Sequence, residues 1–232
     1  MLLPKIDLPI YPLTLFSNKK KITYRPFTVK EEKILLMAQE SDDIDQAILS
    51  IKQVINNCVT GIDVEDLPMF DLEYILLKLR SKSVNNVTDF TIIDPETKEN
   101  ISLQLDLDDV KLTTYDSHTN KIKLNDEYTL FLKYPNVDMF SKFITYTETA
   151  QSNYEIMVSC LDKLASESTV YKFSDFTKED IDGFLNDLDG NVIKNITNFF
   201  DTMPKLRHEI KYTNSNGKEK TFVIEGTKTF FI

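Results

Sequence analysis

The 232-residue chain carries 37 acidic and 27 basic side chains, a formal net charge of −10. A protein whose work is to displace counterions from nucleic-acid phosphates needs a positive footprint, so nucleic acid is a poor match to this chain. Hydrophobic residues make up 41% and charged residues 28%, which excludes chain-wide disorder and allows a core without disulfide or metal staples.

The opening, MLLPKIDLPIYPLTLF, is apolar but interrupted by Pro4, Pro9 and Pro12, and it carries Asp7. It lacks the basic start and unbroken apolar helix of a signal peptide, and no run reaches the length of a membrane span. The expectation is a protein that stays in the cytoplasm where it is made. Residues 1–10 read as an extended arm, because the proline spacing keeps them out of helix and out of central strands. Residues 11–16 and 21–25 can pair across Ser17-Asn-Lys-Lys as a short hairpin.

A capping box, Thr28-Val-Lys-Glu31, opens a helix with Ile34, Leu35 and Ala38 on one face. Asp43 caps a second helix, with Ile44, Ala47, Ile48, Ile51 and Ile55 at helical spacing, and the two form a helical hairpin that ends by Gly61. A third helix, MFDLEYILLKLRSKS, has its acids early and its bases late, which complements the helix dipole. Its apolar residues wrap more than one face, which predicts burial on two sides, in its own core or by a partner.

Over residues 88–107 the period changes from helical to alternating, with DPETKEN as the turn of a hairpin. KIKLNDEYTLFLKYP reads as a second strand pair turning at Asn125-Asp126. Helical patterns resume in VDMFSKFITY, NYEIMVSCLDKL, TKEDIDGFLNDL and NVIKNITNFFDTMP, where Pro204 stops the last; strands close the chain in KLRHEIKYTNSNGKEKTFVIEG. This order predicts an α+β fold, a helical lobe with antiparallel β-hairpins and no parallel doubly wound sheet. The expected lobes are 1–135, with the arm, helical hairpin and β-hairpin, and 136–232, helical and closing with a β-hairpin. A weak echo links TIIDPETKENISLQL with IKYTNSNGKEKTFVI, where Lys98-Glu99 match Lys218-Glu219.

No motif for chemistry emerges. Cys58 and Cys160 stand far apart in apolar helical patterns and read as reduced core thiols. No two of Cys58, Cys160, His118 and His208 are close enough in sequence for a zinc motif. NDLDGNV starts like a calcium loop from Asp187, but the sixth position is Val192 and the twelfth Asn198. The five glycines form no dinucleotide or phosphate loop, and there is no Gly-x-Ser-x-Gly elbow. His208 reads as structural or surface. The expectation is a protein that is not an enzyme, with no catalytic residue, cofactor or metal. What is abundant is adhesive surface, with 15 Phe and 10 Tyr clustered at 70–74, 140–146, 199–200 and 230–231.

The stretch LPKIDLPIYPLTL…KKKITYRPFTVKEEKILLMAQES resembles the start of the baseplate hub subunit, or hub assembly protein, family of T4-like contractile-tailed bacteriophages. LPMFDLEYILLKLRSKSV and FFDTMPKLRHEIKY…FVIEGTKTFF agree with it in the same order, whereas residues 112–190 match loosely. RPFTVKEEK and the FDLEY block are its most specific parts. The resemblance implies a non-enzymatic tail-morphogenesis protein made in the host cytoplasm, acting on other baseplate or hub proteins, and placed in the virion tail baseplate if it is a persistent subunit. A transient assembly chaperone absent from the mature virion is the alternative. Some relatives carry paired cysteines in the two hairpins; DPETKEN and NSNGKEK here imply the hairpin shape without the metal. The expected contact residues are Leu2, Leu3, Ile6, Leu8 and Ile10 in the arm, Phe70, Tyr74 and Leu77 in the third helix, and Phe230 and Phe231 at the apolar end. The oligomeric state stays open, homo-oligomers included.

Overall fold

The computed structural model describes residues 6–40, 43–139 and 150–225. The strands are β1 (Tyr11–Thr14), β2 (Lys21–Tyr24), β3 (Val59–Thr60), β4 (Val87–Ile93), β5 (Asn100–Asp106), β6 (Lys111–Thr113), β7 (Lys121–Lys123), β8 (Thr129–Leu132), β9 (Leu161–Ala165), β10 (Val170–Lys172), β11 (Lys205–Thr213) and β12 (Glu219–Glu225). The helices are α1 (Val29–Gln39), α2 (Ile44–Cys58), α3 (Met69–Ser83), α4 (Ala150–Ser159), α5 (Lys178–Asn186) and α6 (Gly190–Thr202), with a 3-10 turn at Phe173–Asp175. The fold is α+β, and every strand pairing is antiparallel.

Contacts group the chain into two compact units, Met1–Thr113 with Lys205–Ile232, and Thr114–Pro204. The sequence reading placed a boundary near residue 135, which lies inside the second unit. The reason is a non-local pairing. The closing strand β11 returns to β6, with Lys205 opposite Thr113, Leu206 opposite Leu112 and Arg207 opposite Lys111. The second unit is therefore an insertion whose entry and exit residues are strand partners.

In the first unit, β1-β2-β3, β12-β11-β6 and β4-β5 form three small sheets. Helix α3 is central. Phe70, Leu72, Ile75, Leu77 and Leu79 are buried along it, and it contacts α2, β6 and β11. Leu77 joins Leu105, Leu107, Val110, Leu206 and Ile224 in one core cluster, with Tyr74 packed against it. Burying side chains of this size contributes about 2 kcal/mol each. The two-sided burial expected of this helix comes from its own unit.

Two polar staples hold the elements around α3. Asp71 is fully buried and accepts from the backbone N–H groups of Phe16 at 2.7 Å and Ser17 at 3.1 Å, and from the Ser17 hydroxyl. It thereby fastens the β1–β2 turn to α3, where Phe16 meets Phe70 edge to face at 6.4 Å. Arg25 donates to Glu31 at 3.1 Å and to the Asn57 carbonyl at 3.0 Å. Glu31 also completes the capping box with Thr28, so one carboxylate joins the end of β2 to the start of α1. Burial alone would raise the Glu31 pKa, but the hydrogen bonds from Arg25 and Thr28 outweigh it and hold the carboxyl down at about 2.

The second unit has one sheet, β10-β9-β8-β7. Its core joins Ile122, Leu130, Leu132 and Leu161 to Leu185, Val192, Ile196 and Phe199 of α5 and α6. The segment NYEIMVSCLDKL reads as one helix in sequence, but the helix ends at Ser159 and β9 begins at Leu161. Pairing of Leu164 with Leu130 and of Leu161 with Leu132 wins over local helical spacing there. The helix expected from Val137 lies mostly outside the described residues.

Asp71→Ala leaves two part-buried backbone donors and the Ser17 hydroxyl without their acceptor and should lower stability by about 3 kcal/mol in urea denaturation. Replacing Thr114–Pro204 with an Asn-Gly turn should leave a first unit that unfolds cooperatively, since Thr113 and Lys205 are already hairpin partners. A gradual, non-cooperative transition would count against that independence.

Candidate functional site

The expected contact residues separate into three groups. In the arm, Ile6 and Ile10 are 87% and 71% exposed and Leu8 is half-buried, on a stretch without regular structure that leads into β1. In α3, Phe70 and Leu77 are 5% and 0% exposed and Tyr74 is half-buried against the core cluster. Those α3 side chains pack the interior of their own unit and offer a partner little surface. Leu2, Leu3, Phe230 and Phe231 lie outside the described residues.

The two hairpins that echo each other in sequence meet in space. Phe90 of β4 packs against Phe222 of β12 at 5.9 Å. Asp94, at the β4–β5 turn, is fully buried and accepts from the Tyr212 hydroxyl at 2.7 Å and from Lys220 at 3.3 Å. Glu96 pairs with Lys218 at 2.6 Å and Lys220 at 3.0 Å. Burial pulls the Asp94 pKa upward, but the Thr97 and Glu96 N–H groups, the Tyr212 hydroxyl and Lys220 together hold it well below the carboxylate range. The turns use left-handed residues, Lys98 at φ 60° and Gly217 at φ 73°. They are offset by one residue, because Asp94 N–H donates to the Glu99 carbonyl while Asn214 N–H donates to that of Lys218. DPETKEN and NSNGKEK thus form an ion-paired clasp between two turns.

The reactive residue types are engaged in packing. His118 packs in a three-ring cluster with Tyr134 and Phe199, its ring centroid 5.7 and 5.4 Å from theirs and theirs 5.4 Å from each other. Its Nδ1 meets the Thr202 hydroxyl and its Nε2 the Tyr134 hydroxyl, both at 2.9 Å. Thr202 already donates its proton to the Asn198 carbonyl. The imidazole therefore donates from Nδ1 and accepts at Nε2, the neutral form that burial also favours by lowering its pKa. Burial pushes the Cys58 thiol up to about 11 and the Cys160 thiol up to about 12, so neither forms thiolate readily. Among the described residues no three His, Cys, Asp or Glu side chains gather in a way that could hold a metal ion, and no helix is long and apolar enough to cross a membrane.

One feature escaped sequence reasoning. An aromatic cavity of about 340 Å³ opens in the second unit, lined by Tyr128, Tyr171, Phe173, Phe176 and Phe184 beside Asp180. Tyr171, Phe173, Phe176 and Phe184 come from one stretch, but strand, 3-10 turn and helix bring them together with Tyr128, 43 positions before Tyr171, so no single periodicity announces it.

The chain belongs to the T4 bacteriophage base plate protein family, whose family model matches residues 8–232. It is thus a phage baseplate protein with a structural or assembly role, and its interactions are with other phage proteins. No curated protein and no solved structure matches it.

The core of α3 also holds a titratable group. Burial raises the Glu73 carboxyl to about 7. The folded state keeps a proton there that the unfolded chain loses near pH 4.5, so stability should fall as pH rises from that value to about 7 and then level off. Glu73→Gln should remove this slope, raising stability by about 3 kcal/mol at pH 8 and leaving it nearly unchanged at pH 4. Urea denaturation at the two pH values checks this; equal effects at both would refute the raised pKa.

Proposed function

We propose that the chain is a non-enzymatic component of the baseplate hub, working through protein–protein surfaces without a cofactor or metal. Membership of the base plate family supports a tail role. The observation that carries the surface reading is the arm, where Ile6 and Ile10 stand in solvent on a stretch without regular structure. Isolated domains seldom leave such side chains uncovered at an extended segment, and obligate assemblies cover them against a neighbour. Ile6, Leu8 and Ile10 form the proposed contact on the first unit, with Leu2, Leu3, Phe230 and Phe231 as further contact residues. The proposed partners are other hub proteins, met in the host cytoplasm during assembly.

Quantitative mass spectrometry of purified virions, with copurification from infected cells, tests this reading. A persistent hub subunit should occur at a fixed ratio to other baseplate proteins. Association during assembly with absence from the virion would replace it with the transient chaperone reading. Association at neither stage would overturn both. A variant lacking residues 2–10 should keep its melting temperature within a few degrees and lose its hub partners.

A further inference from the structure

The aromatic cavity belongs to the second unit and the proposed arm contact to the first, and strand register explains why the cavity is open. Tyr171 of β10 pairs with Leu164 of β9, Leu164 with Leu130 of β8, and Leu130 with Ile122 of β7. This row faces the core, and Tyr171 ends it on the edge strand. Helix α5 closes one side with Asp180, Ile181 and Phe184 at helical spacing, and the Phe173–Asp175 turn supplies Phe173 and the following Phe176. The rings associate in two pairs, Tyr171 with Phe176 at 6.4 Å and Phe173 with Phe184 at 5.6 Å. Tyr171 and Phe176 remain 41% and 45% exposed, and Val170 on the same strand is 55% exposed.

The segment that lines most of this opening, and the unit that holds it, are acidic. Residues 175–189 hold six carboxylates and a single lysine, Lys178. The second unit has 15 acidic and eight basic residues, so it carries −7 of the chain's −10. Asp180 uses Oδ2 for the Thr177 N–H and hydroxyl, and its Oδ1 takes no hydrogen bond among the described residues. On the opposite face of the same sheet, Lys121 and Lys163 lie over the Phe131 ring at 5.6 and 5.1 Å. The cavity presents more ring surface than Phe131 does, yet no lysine lines it. Lys172 pairs with Lys163 and so belongs to the Phe131 face.

We propose that this cavity receives a lysine or arginine side chain from an extended, basic segment of a partner protein lying along β10. The apolar stem of such a side chain packs on the rings while its charge meets their negative faces and the Asp180 carboxylate. The outer edge of β10 has no strand partner among the described residues, so its backbone can pair with an extended segment and hold the inserted side chain in register. The inference rests on this unit's own geometry and charge and does not require the hub reading.

Capped peptides identical except for a central Arg, Lys, norleucine or Glu provide the probe, titrated into the isotope-labelled full chain by NMR. The Arg and Lys peptides should bind about tenfold tighter than the norleucine peptide and shift the amides of Tyr171, Phe176 and Ile181. The Glu peptide should not bind. Phe176→Ala should weaken the Arg peptide about tenfold at unchanged melting temperature, while Phe131→Ala on the opposite face should not. Tyr171→Ala serves as the second variant where Phe176→Ala does not fold. Norleucine binding as tightly as arginine, shifts confined to another face, or full affinity in a folded cavity variant would each overturn the proposal.

Discussion

The pairing of β6 with β11 is the constraint on which the first unit depends. Residues almost a hundred positions apart become direct partners, and the pairing brings Leu206 into the cluster that holds Leu77 of α3. Without it, the β11–β12 hairpin would lose its seat against the helix, and the clasp between the two turns would lose one side. Loop-closure entropy grows only logarithmically with loop length, roughly 0.6 kcal/mol per doubling. The long excursion therefore adds little to the cost of the pairing. The excursion also has a core of its own, built on Leu130, Ile196 and Phe199.

The segments that carry the family resemblance have a physical meaning in this light. RPFTVKEEK contains Arg25, Thr28 and Glu31, which join a strand end, a helix start and the last turn of α2. The FDLEY block contains Phe70 and Asp71, which fasten the first hairpin to α3. These residues are specific because a buried carboxylate tolerates few neighbours, and each needs its full set of donors. The resemblance reports how the first unit is stapled together.

Much of that architecture was legible from local signals. The capping box at Thr28 and Asp43 mark helix starts, and the alternation around DPETKEN and NSNGKEK marks hairpins, because these features are set by neighbours a few residues away. Strands β3, β6 and β10 hold two or three residues each, too few to show a period. β9 was hidden inside a helical pattern because its pairing partner lies 30 residues earlier. A split near residue 135 follows chain order, whereas β11 returns to β6. Phe70, Tyr74 and Leu77 were marked as sticky by composition, and composition cannot tell a core face from a contact face. The echo of the two hairpins signalled real proximity through Asp94 and Tyr212, although the offset of one residue between the turns was invisible.

The distribution of satisfied and unsatisfied groups points to recognition. His118 has both nitrogens engaged, Glu31 and Asp71 are hydrogen-bonded by design of their neighbours, and the two thiols are buried. Among the exposed large apolar side chains are Ile6 and Ile10 on the arm of one unit and Tyr171 and Phe176 at the cavity of the other. The two surfaces differ in chemistry, one an aliphatic strip and the other an aromatic cup with Asp180 in its lining. A single featureless partner face would not select for both. Two contacts of different character are what a subunit needs to join neighbours in a fixed order, because each can discriminate against the occupant suited to the other.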